Sequence, residues 1–587
     1  MADDSESAAA SDRSLYGPLY GLPYPCLPQD VLSNASAEAV REVLTKRLTS
    51  LQREVLAVNA LWNATLPINT LPSEILVYIF HLAKPDESDD EDEAAAPQVL
   101  FPLIPHVGSY HWVPYMLVCR HWRAVVQSNY SLWRSVDVDL KMDPLKVALE
   151  RSTTGSVDVA IHGNLLVWDC HREFIESHCT RFRALHLSVY QPPPSFFQKF
   201  NQLLPALREL TLISERNRPQ FVLMNPNEDP GFDLSLTNFP SLVSVALSGV
   251  ALLSWETSLL SKLRRLSLFH CSYRGPPLSY SGFLDVLEGM QSLEELRLHG
   301  FLSSACPDAA VMTDRVISLP RLEILAVGDI PPLPSPLLRN IRHPQRVQAA
   351  GFLTLDPDVN TMEAISFSFL LPPDPTLWPL LSTVEIAEIE ASQQVLQIIG
   401  RKGEAYLAFD LCVDGSLFYD DFMAHAMLGL AWNFAGAPLR EVYIMGGFED
   451  INDNNYTNLL WDLPNLETLC IDADNGSVHT LFSALRDDRF DGSGTGVQII
   501  CPKLKTLEID GLWWKEGSNP MRIIRHTLRH RASKGIFLKR MTLQLRYNGP
   551  TMDREVDYRV IKARYFDKLC ELVPGGDVIM SRMSDED

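Results

Sequence analysis

The chain has 587 residues, of which 46% are hydrophobic and 21% are charged, so it can bury several cores and is not disordered as a whole. Lys and Arg number 51 against 73 Asp and Glu, and the net charge of −22 argues against nucleic acid or an anionic membrane as partner. We find no apolar run of about 18 residues and no secretory signal. Ten scattered cysteines predict reduced thiols. These features predict a protein of the cytoplasm, the nucleus or both.

The beginning of the chain divides into an arm and a helix. Residues 1–35 mix Asp, Ser, Ala, Pro and Gly with isolated aromatics, which predicts a disordered arm. Residues 36–66 carry apolar side chains at mostly three- and four-residue steps, which predicts one amphipathic helix. These positions are Val40, Val43, Leu44, Leu48, Leu51, Val55, Val58 and Trp62. Two interpretations stay open: the helix docks on the neighbouring domain, or it forms the seam of a coiled-coil dimer.

Two short helices are predicted next. Residues 71–80 place a proline at a helix start, Glu74 near the positive end of the helix dipole, and apolar residues on one face. After an insertion, residues 115–126 are again apolar at helical spacing, and Leu132 and Trp133 open an extended run. Two such helices bury too little surface to be stable alone. We therefore expect their remaining apolar face to meet a partner.

These three runs resemble the F-box, whose pattern is Leu-Pro-x-Glu-Ile-Leu-x-x-Ile-Phe, then Val-Cys-x-x-Trp-Arg, then Leu-Trp. The resemblance assigns an F-box to residues 67–136. It implies binding to the Skp-family adaptor of cullin-RING ubiquitin ligases. The adaptor-binding residues that it implies are Leu71, Pro72, Ile75, Leu76, Ile79, Val118, Cys119 and Trp122.

The spacing departs from the family pattern, because 38 residues separate Phe80 from Cys119. Residues 84–110 form the predicted insertion, and seven of the eight residues at 86–93 are acidic. Such a run repels itself and is expected to loop out into solvent. It is either inert or an acidic or phosphorylated contact segment around Ser88.

A repeated motif dominates residues 137–560: a leucine, two variable residues, an aliphatic residue, one variable residue and a second aliphatic residue. Copies begin at Phe182, Leu207, Leu242, Leu263, Leu293, Leu322, Leu381, Leu439, Leu466, Leu504 and Leu538. The two aliphatic residues lie two apart, which is the period of a strand with one buried face. The motif resembles irregular leucine-rich repeats, and this resemblance implies a solenoid of strand-helix units. An ordinary α/β domain with leucine-rich strands is the alternative.

The fold class that follows is α/β: a small all-helical F-box module, then an irregular leucine-rich-repeat-like solenoid, then a terminal helix and acidic tail at 561–587. This combination resembles a group of fungal F-box domain-containing proteins. In such a solenoid, strand positions that point away from the leucines form the face that binds partners. The candidate substrate-binding residues on that face are Arg265, Phe269, Arg297, His299, Tyr443 and Arg540.

A basic segment interrupts the acidic chain at residues 521–548, which hold eight Lys or Arg and no Asp or Glu. It predicts an exposed basic helix. The helix either pairs with acidic neighbours or forms a dock for an acidic or phosphorylated degron.

We find no constellation that predicts catalysis or metal binding. The Cys and His residues between 170 and 179 lack the paired spacing of a zinc site. His526 and His530 lack the glutamate of a metalloprotease motif, and the glycine-rich run at 492–496 lacks the lysine of a phosphate-binding loop. The sequence therefore predicts no catalytic residues, no metal and no cofactor.

The predicted function is the substrate-recognition subunit of a cullin-RING ubiquitin ligase. The F-box holds the Skp-family adaptor and through it a cullin, and the repeat body holds a protein substrate near the ubiquitin-charged enzyme. The alternative is a non-ligase interaction scaffold that binds partners through the repeat body. Neither function needs catalytic residues in this chain, so we expect a non-enzyme.

Overall fold

The computed structural model describes residues 36–83, 112–138, 143–152, 155–163, 177–189, 204–214, 231–254, 256–306, 313, 315–329, 334–342, 348–355, 378–391, 395–403, 405–413, 422–434, 436–446, 451, 453–472, 475–490, 497–514, 520–547 and 554–582. They form two compact units: a helical module that ends at Leu132, and a sheet body that begins at Trp133. The predicted arm (1–35), the acidic insertion (84–110) and the glycine-rich run (492–496) lie outside the described residues. Of the helices described, none is long and apolar enough to cross a membrane.

The described part of the helical module contains α1 (Ala37–Thr65), α2 (Ser73–Leu82), α3 (Val113–Val118) and α4 (Arg120–Ser128). Helix α1 is the helix predicted at 36–66, and it begins where the Ser36 hydroxyl accepts a hydrogen bond from the Ala39 amide at 3.3 Å. The prediction of one helix over 115–126 is wrong. Cys119 has extended backbone, and its Sγ accepts from the Trp122 amide at 3.4 Å, so a new helix begins after it.

The sheet body alternates strands with helices. Its described helices are α5 (Asp143–Arg151), α6 (Thr257–Leu260), α7 (Tyr280–Gly289), α8 (Leu302–Ala305), α9 (Pro334–Asn340), α10 (Phe422–Asn433), α11 (Asp453–Trp461), α12 (Asn475–Ala484), α13 (Pro520–Ser533) and α14 (Arg554–Cys570). Mixed helix and strand content confirms the α/β class.

Seventeen described strands form one sheet. They are β1 (Ser135–Val138), β2 (Val157–Gly163), β3 (Phe182–Val189), β4 (Glu209–Ser214), β5 (Ser244–Ser248), β7 (Arg265–Phe269), β9 (Glu295–His299), β11 (Ile324–Asp329), β13 (Gln348–Leu355), β14 (Ile386–Ala391), β15 (Val395–Lys402), β16 (Ala405–Val413), β17 (Glu441–Gly446), β18 (Thr468–Asp472), β21 (Thr506–Trp514), β22 (Arg540–Tyr547) and β23 (Asp577–Arg582). Short parallel pairs join β6 (Ala251–Leu252) to β8 (Ser272–Tyr273) and β10 (Ile317–Ser318) to β12 (Ile341–Arg342), and β19 (Asp488–Phe490) pairs antiparallel with β20 (Val497–Ile499).

The large sheet follows the chain. Each strand from β1 to β13 pairs in parallel with the next strand of the sheet, and so does each strand from β17 to β23. Between these two runs the order is β13-β16-β15-β14-β17, and β15 is antiparallel to both of its neighbours. The segment predicted as terminal helix and tail also contributes β23, so the sheet extends beyond residue 560.

At most copies of the motif, the two aliphatic residues that the sequence predicts to be buried are buried in the structure. Val245, Leu266 and Leu296 stand in register and are fully buried, as the spacing predicts. The copy that begins at Leu381 is one residue out of phase: Ala387 and Ile389 are its buried strand residues, and Ile386 points to the other face.

A shared hydrogen-bond pattern marks the strand starts. The Arg264 carbonyl accepts from the amides of Glu294 and Glu295 at 2.7 and 3.0 Å. The Lys505 carbonyl accepts from Lys539 and Arg540 at the same two distances. In both halves of the sheet, one carbonyl therefore accepts hydrogen bonds from two successive amides at the start of the next strand. The same hydrogen-bond geometry thus recurs between neighbouring strands.

Candidate partner-binding surfaces

Three aromatic rings organise the interior of the helical module. Phe80 stacks on Tyr115 with ring centroids 4.7 Å apart, and Trp122 lies 5.0 Å from Phe80. The Trp122 indole N–H donates to the Asn69 side-chain oxygen at 2.5 Å. Leu76 lies among the buried residues of α2. These contacts fix α2 against α4 and determine which side chains face outward.

An apolar surface remains exposed on α2 and α3. Ile75, Tyr78 and Leu82 follow one another along α2 at three- and four-residue steps, and Leu117 and Val118 end α3. These five side chains are between 46% and 75% exposed. We call these five residues the apolar face. Clusters of exposed apolar side chains are typical of protein interaction sites.

The predicted adaptor-binding residues divide by exposure. Pro72, Ile75 and Val118 are exposed, whereas Leu71, Ile79, Cys119 and Trp122 are partly buried. Leu76 is fully buried, so it supports α2 from inside and cannot present its side chain to a partner. Tyr78, Leu82 and Leu117 are exposed apolar residues that the prediction did not include. Helical spacing from Ile75 along α2 is a signal that could have found the first two.

The predicted substrate-binding residues lie on one face of the sheet, in two separate groups. Arg265 and Phe269 on β7 neighbour Arg297 and His299 on β9, whereas Tyr443 and Arg540 lie far along the sheet on β17 and β22.

In the first group, only Arg265 is well exposed. Phe269 is buried and stacks on His299 with centroids 6.0 Å apart, and His299 meets the ring of His270 at 4.7 Å. Burial and the nearby His270 lower the pKa of His299 to about 4, so this ring is neutral at physiological pH. This part of the face is largely closed to a partner.

The second group lies on a more accessible part of the face. The Tyr443 hydroxyl donates to Glu441 Oε2 at 3.0 Å, and burial together with Glu441 raises the pKa of Tyr443 to about 12. Arg540 lies 3.7 Å from Glu508 and is exposed. Met445 is 42% exposed. In contrast, one position that faces the same way on each of β3, β4, β7 and β11 is buried: His186, Thr211, Ser267 and Ala326.

The basic segment is a helix only in its first half: it contributes α13 and then β22, which carries Arg540 and Arg546, and its cations have different roles. His530 and Lys534 lie 3.1 and 3.4 Å from Asp488, as expected for a basic helix beside acidic neighbours. Arg531 is buried instead, and its guanidinium donates to the carbonyls of Ile500 and Cys501 at 2.8 Å each. Desolvation lowers the pKa of Arg531. No local sequence pattern distinguishes this buried structural arginine from the exposed cations of the same helix.

Cysteines and histidines form no metal-binding cluster in the described part of the chain. Cys179 is buried, and the described cysteines are free thiols. Burial raises the pKa of Cys271 and of Cys501 to about 12, so both thiols stay protonated and unreactive.

Comparison with known proteins identifies the helical region. Residues 68–139 match a family model described as F-box-like. No curated protein matches the chain. The matched range covers α2, α3 and α4, which carry the apolar face, and it overlaps the F-box predicted at 67–136. F-box domains generally bind Skp-family adaptors, and F-box proteins are usually non-catalytic substrate adaptors. The chain therefore carries an F-box-like domain, which supports an F-box protein.

Proposed function

We propose that this chain is the substrate-recognition subunit of a cullin-RING ubiquitin ligase. The observation that carries the proposal is the exposed apolar face on α2 and α3, inside the range that matches the F-box-like model. The face is apolar and its side chains are positioned by a packed aromatic interior, as a docking site for the helices of a Skp-family adaptor requires.

We further propose that the sheet body is an irregular leucine-rich-repeat-like solenoid of the kind found in fungal F-box proteins. Two observations support it: strands that are neighbours along the chain are parallel neighbours in the sheet, and one carbonyl serves two amides of the next strand at repeated strand starts. Each unit of such an array buries its leucines against the next unit.

The substrate binds, in this proposal, on the accessible sheet face over β17 to β22. Tyr443, Met445 and Arg540 combine an aromatic ring, a flexible apolar side chain and a charge, which suit a protein contact. A bound substrate is held near the ubiquitin-charged enzyme, and this proximity raises the effective concentration of its lysines. The chain needs no catalytic residue or cofactor, and it acts in the cytoplasm, the nucleus or both, without nucleic acid or membrane as partner.

A pull-down with a purified Skp-family adaptor tests the first step. Ile75→Asp and Leu117→Asp each place a carboxylate in the apolar face, and at a tight interface each change should cost at least about 2 kcal/mol and remove most of the complex. Because both side chains are exposed, neither change should unfold the module. Phe537→Asp is the matched control, since Phe537 is as exposed as Ile75 but lies in the sheet body. Equal binding by all four proteins would contradict the proposal.

A second experiment separates the ligase subunit from the scaffold. Cells expressing Ile75→Asp should accumulate the partner that the sheet body captures, because the partner no longer reaches the ligase. If the variant loses the adaptor but its captured partner keeps its level, the chain is a scaffold.

A further inference from the structure

Helix α1 exposes its apolar side along its whole length. It spans 29 residues, and none of them is buried. Helices of globular proteins gain most of their stability from packing an apolar face, and α1 has no such packing against the described part of this chain.

The spacing of the exposed residues is that of a coiled-coil seam. Successive apolar residues lie four, three, four, three and four positions apart, so they occupy six consecutive a and d positions of the seven-residue repeat. They are Leu44, Leu48, Leu51, Val55, Val58 and Trp62. Their side chains are between 42% and 69% exposed, and no charged residue interrupts the series. A period of 3.5 residues keeps such a stripe facing another helix in a left-handed supercoil.

Between Leu44 and Trp62, the charged residues of α1 lie beside this seam or opposite it, and Arg41 occupies the a position that precedes Leu44. Glu42 and Lys46 pair with each other at 2.7 Å on the side away from the seam. In a parallel pair of α1 helices, the flanking Arg47 lies next to Gln52 of the second copy, and Glu54 lies next to Asn59. Between Leu44 and Trp62, no like charges therefore meet across the pair.

We propose that α1 pairs in parallel with α1 of a second copy of this chain and forms a homodimeric coiled coil. The seam occurs once per chain and is self-complementary, because each side chain at an a or d position fills a gap between side chains of an identical helix. In a parallel pair, the two F-box-like domains follow the same end of the coiled coil. A dimer then presents two adaptor sites and two sheet bodies to one substrate, which strengthens capture of a substrate with two binding segments.

Light scattering coupled to size-exclusion chromatography tests the proposal on the full chain at micromolar concentration. We expect the wild type at twice the chain mass of 66.0 kDa. The double variant Leu51→Glu/Val55→Glu buries four carboxylates in the seam of a dimer, so its dissociation constant should rise at least about 100-fold and its mass should fall to that of one chain. Ala57→Glu/Ala60→Glu is the matched control, because it adds the same charges to α1 outside the seam and should remain dimeric.

Thermal unfolding of the sheet body, measured for all three proteins, checks that the variants fold. A wild type with the mass of one chain would overturn the proposal. So would a seam variant that keeps the dimer mass, because another surface would then hold the dimer. If the wild type is a single chain and the seam variant loses adaptor binding, α1 belongs to the adaptor interface and the proposal is also overturned.

Discussion

The buried guanidinium of Arg531 should be one of the main stabilising groups in the second half of the sheet body. It is 2% exposed and donates at 2.8 Å to the carbonyls of Ile500 and Cys501, which belong to residues that are themselves buried. Arg531→Met fills much of the same volume but leaves the Ile500 carbonyl without a donor and removes one of the two donors of the Cys501 carbonyl, which also accepts from the Leu504 amide at 3.2 Å. A buried carbonyl left unpaired costs about 1–3 kcal/mol and the lost hydrogen bond to Cys501 costs about 1 kcal/mol, so the free energy of unfolding should fall by about 2–4 kcal/mol.

Urea unfolding followed by tryptophan fluorescence measures this loss. The control is Arg529→Met, which removes an exposed cation two residues earlier on α13 and should change the free energy of unfolding by less than about 0.5 kcal/mol. Arg531→Lys should fall between them, because one ammonium cannot serve both carbonyls with the planar geometry of a guanidinium. If Arg531→Met and Arg529→Met unfold at the same urea concentration, the carbonyls have other donors and the reasoning is refuted.

Two further predictions concern the sheet. Burial raises the pKa of Asp410 to about 7 although the Gln397 amide donates to it at 2.7 Å, so the folded state favours the protonated carboxyl. The contribution of the Asp410 carboxyl to stability is present below pH 4 and is lost as pH rises towards about 7. Asp410→Asn should therefore stabilise the protein at pH 8 and have little effect at pH 4. A thermal melting temperature that changes equally at both pH values would contradict this. Gly446→Ala should cost at least about 2 kcal/mol, because a Cβ there would overlap the Ala391 carbonyl oxygen. Gly436→Ala is the control: its φ is also positive but its Cβ would enter open space, so it should cost only about 1 kcal/mol, and equal melting temperatures of the two variants would count against the steric argument.

The helical module was largely predictable because its motif is local. Residues 71–80 contain both the helix start and its apolar face, and the structure has α2 where the sequence places it. Exposure was harder to predict than helix position. Ile75 and Leu76 are adjacent and equally apolar, yet one faces outward and the other is buried, since helix rotation is set by packing against the distant Tyr115 and Trp122. The break at Cys119 depends on a thiol that accepts an amide hydrogen bond, a role that sequence patterns rarely reveal.

In the sheet body, strand positions were predictable and strand order was not. The two-residue period of leucines locates β4, β5, β7 and β9 and gives their buried side correctly. The reversed direction of β15 between β14 and β16 has no comparable signal, because an antiparallel strand has the same alternation as a parallel one. The closing of the sheet face over Phe269 also depends on contacts between distant strands, so exposure there could not be derived from local alternation.

The distribution of exposed apolar side chains supports the division of labour that we propose. Of the large apolar residues that are exposed in the described ranges, fifteen lie in the helical module and seven in the much longer sheet body. A sheet body that buries its apolar residues can be stable by itself, whereas the helical module leaves the α1 seam and the apolar face in water. Partners that cover these two surfaces bind the folded module and not the unfolded chain, so each should raise its stability by mass action. The adaptor and the second copy would therefore be needed both for assembly of the ligase and for the stability of the module that recruits it.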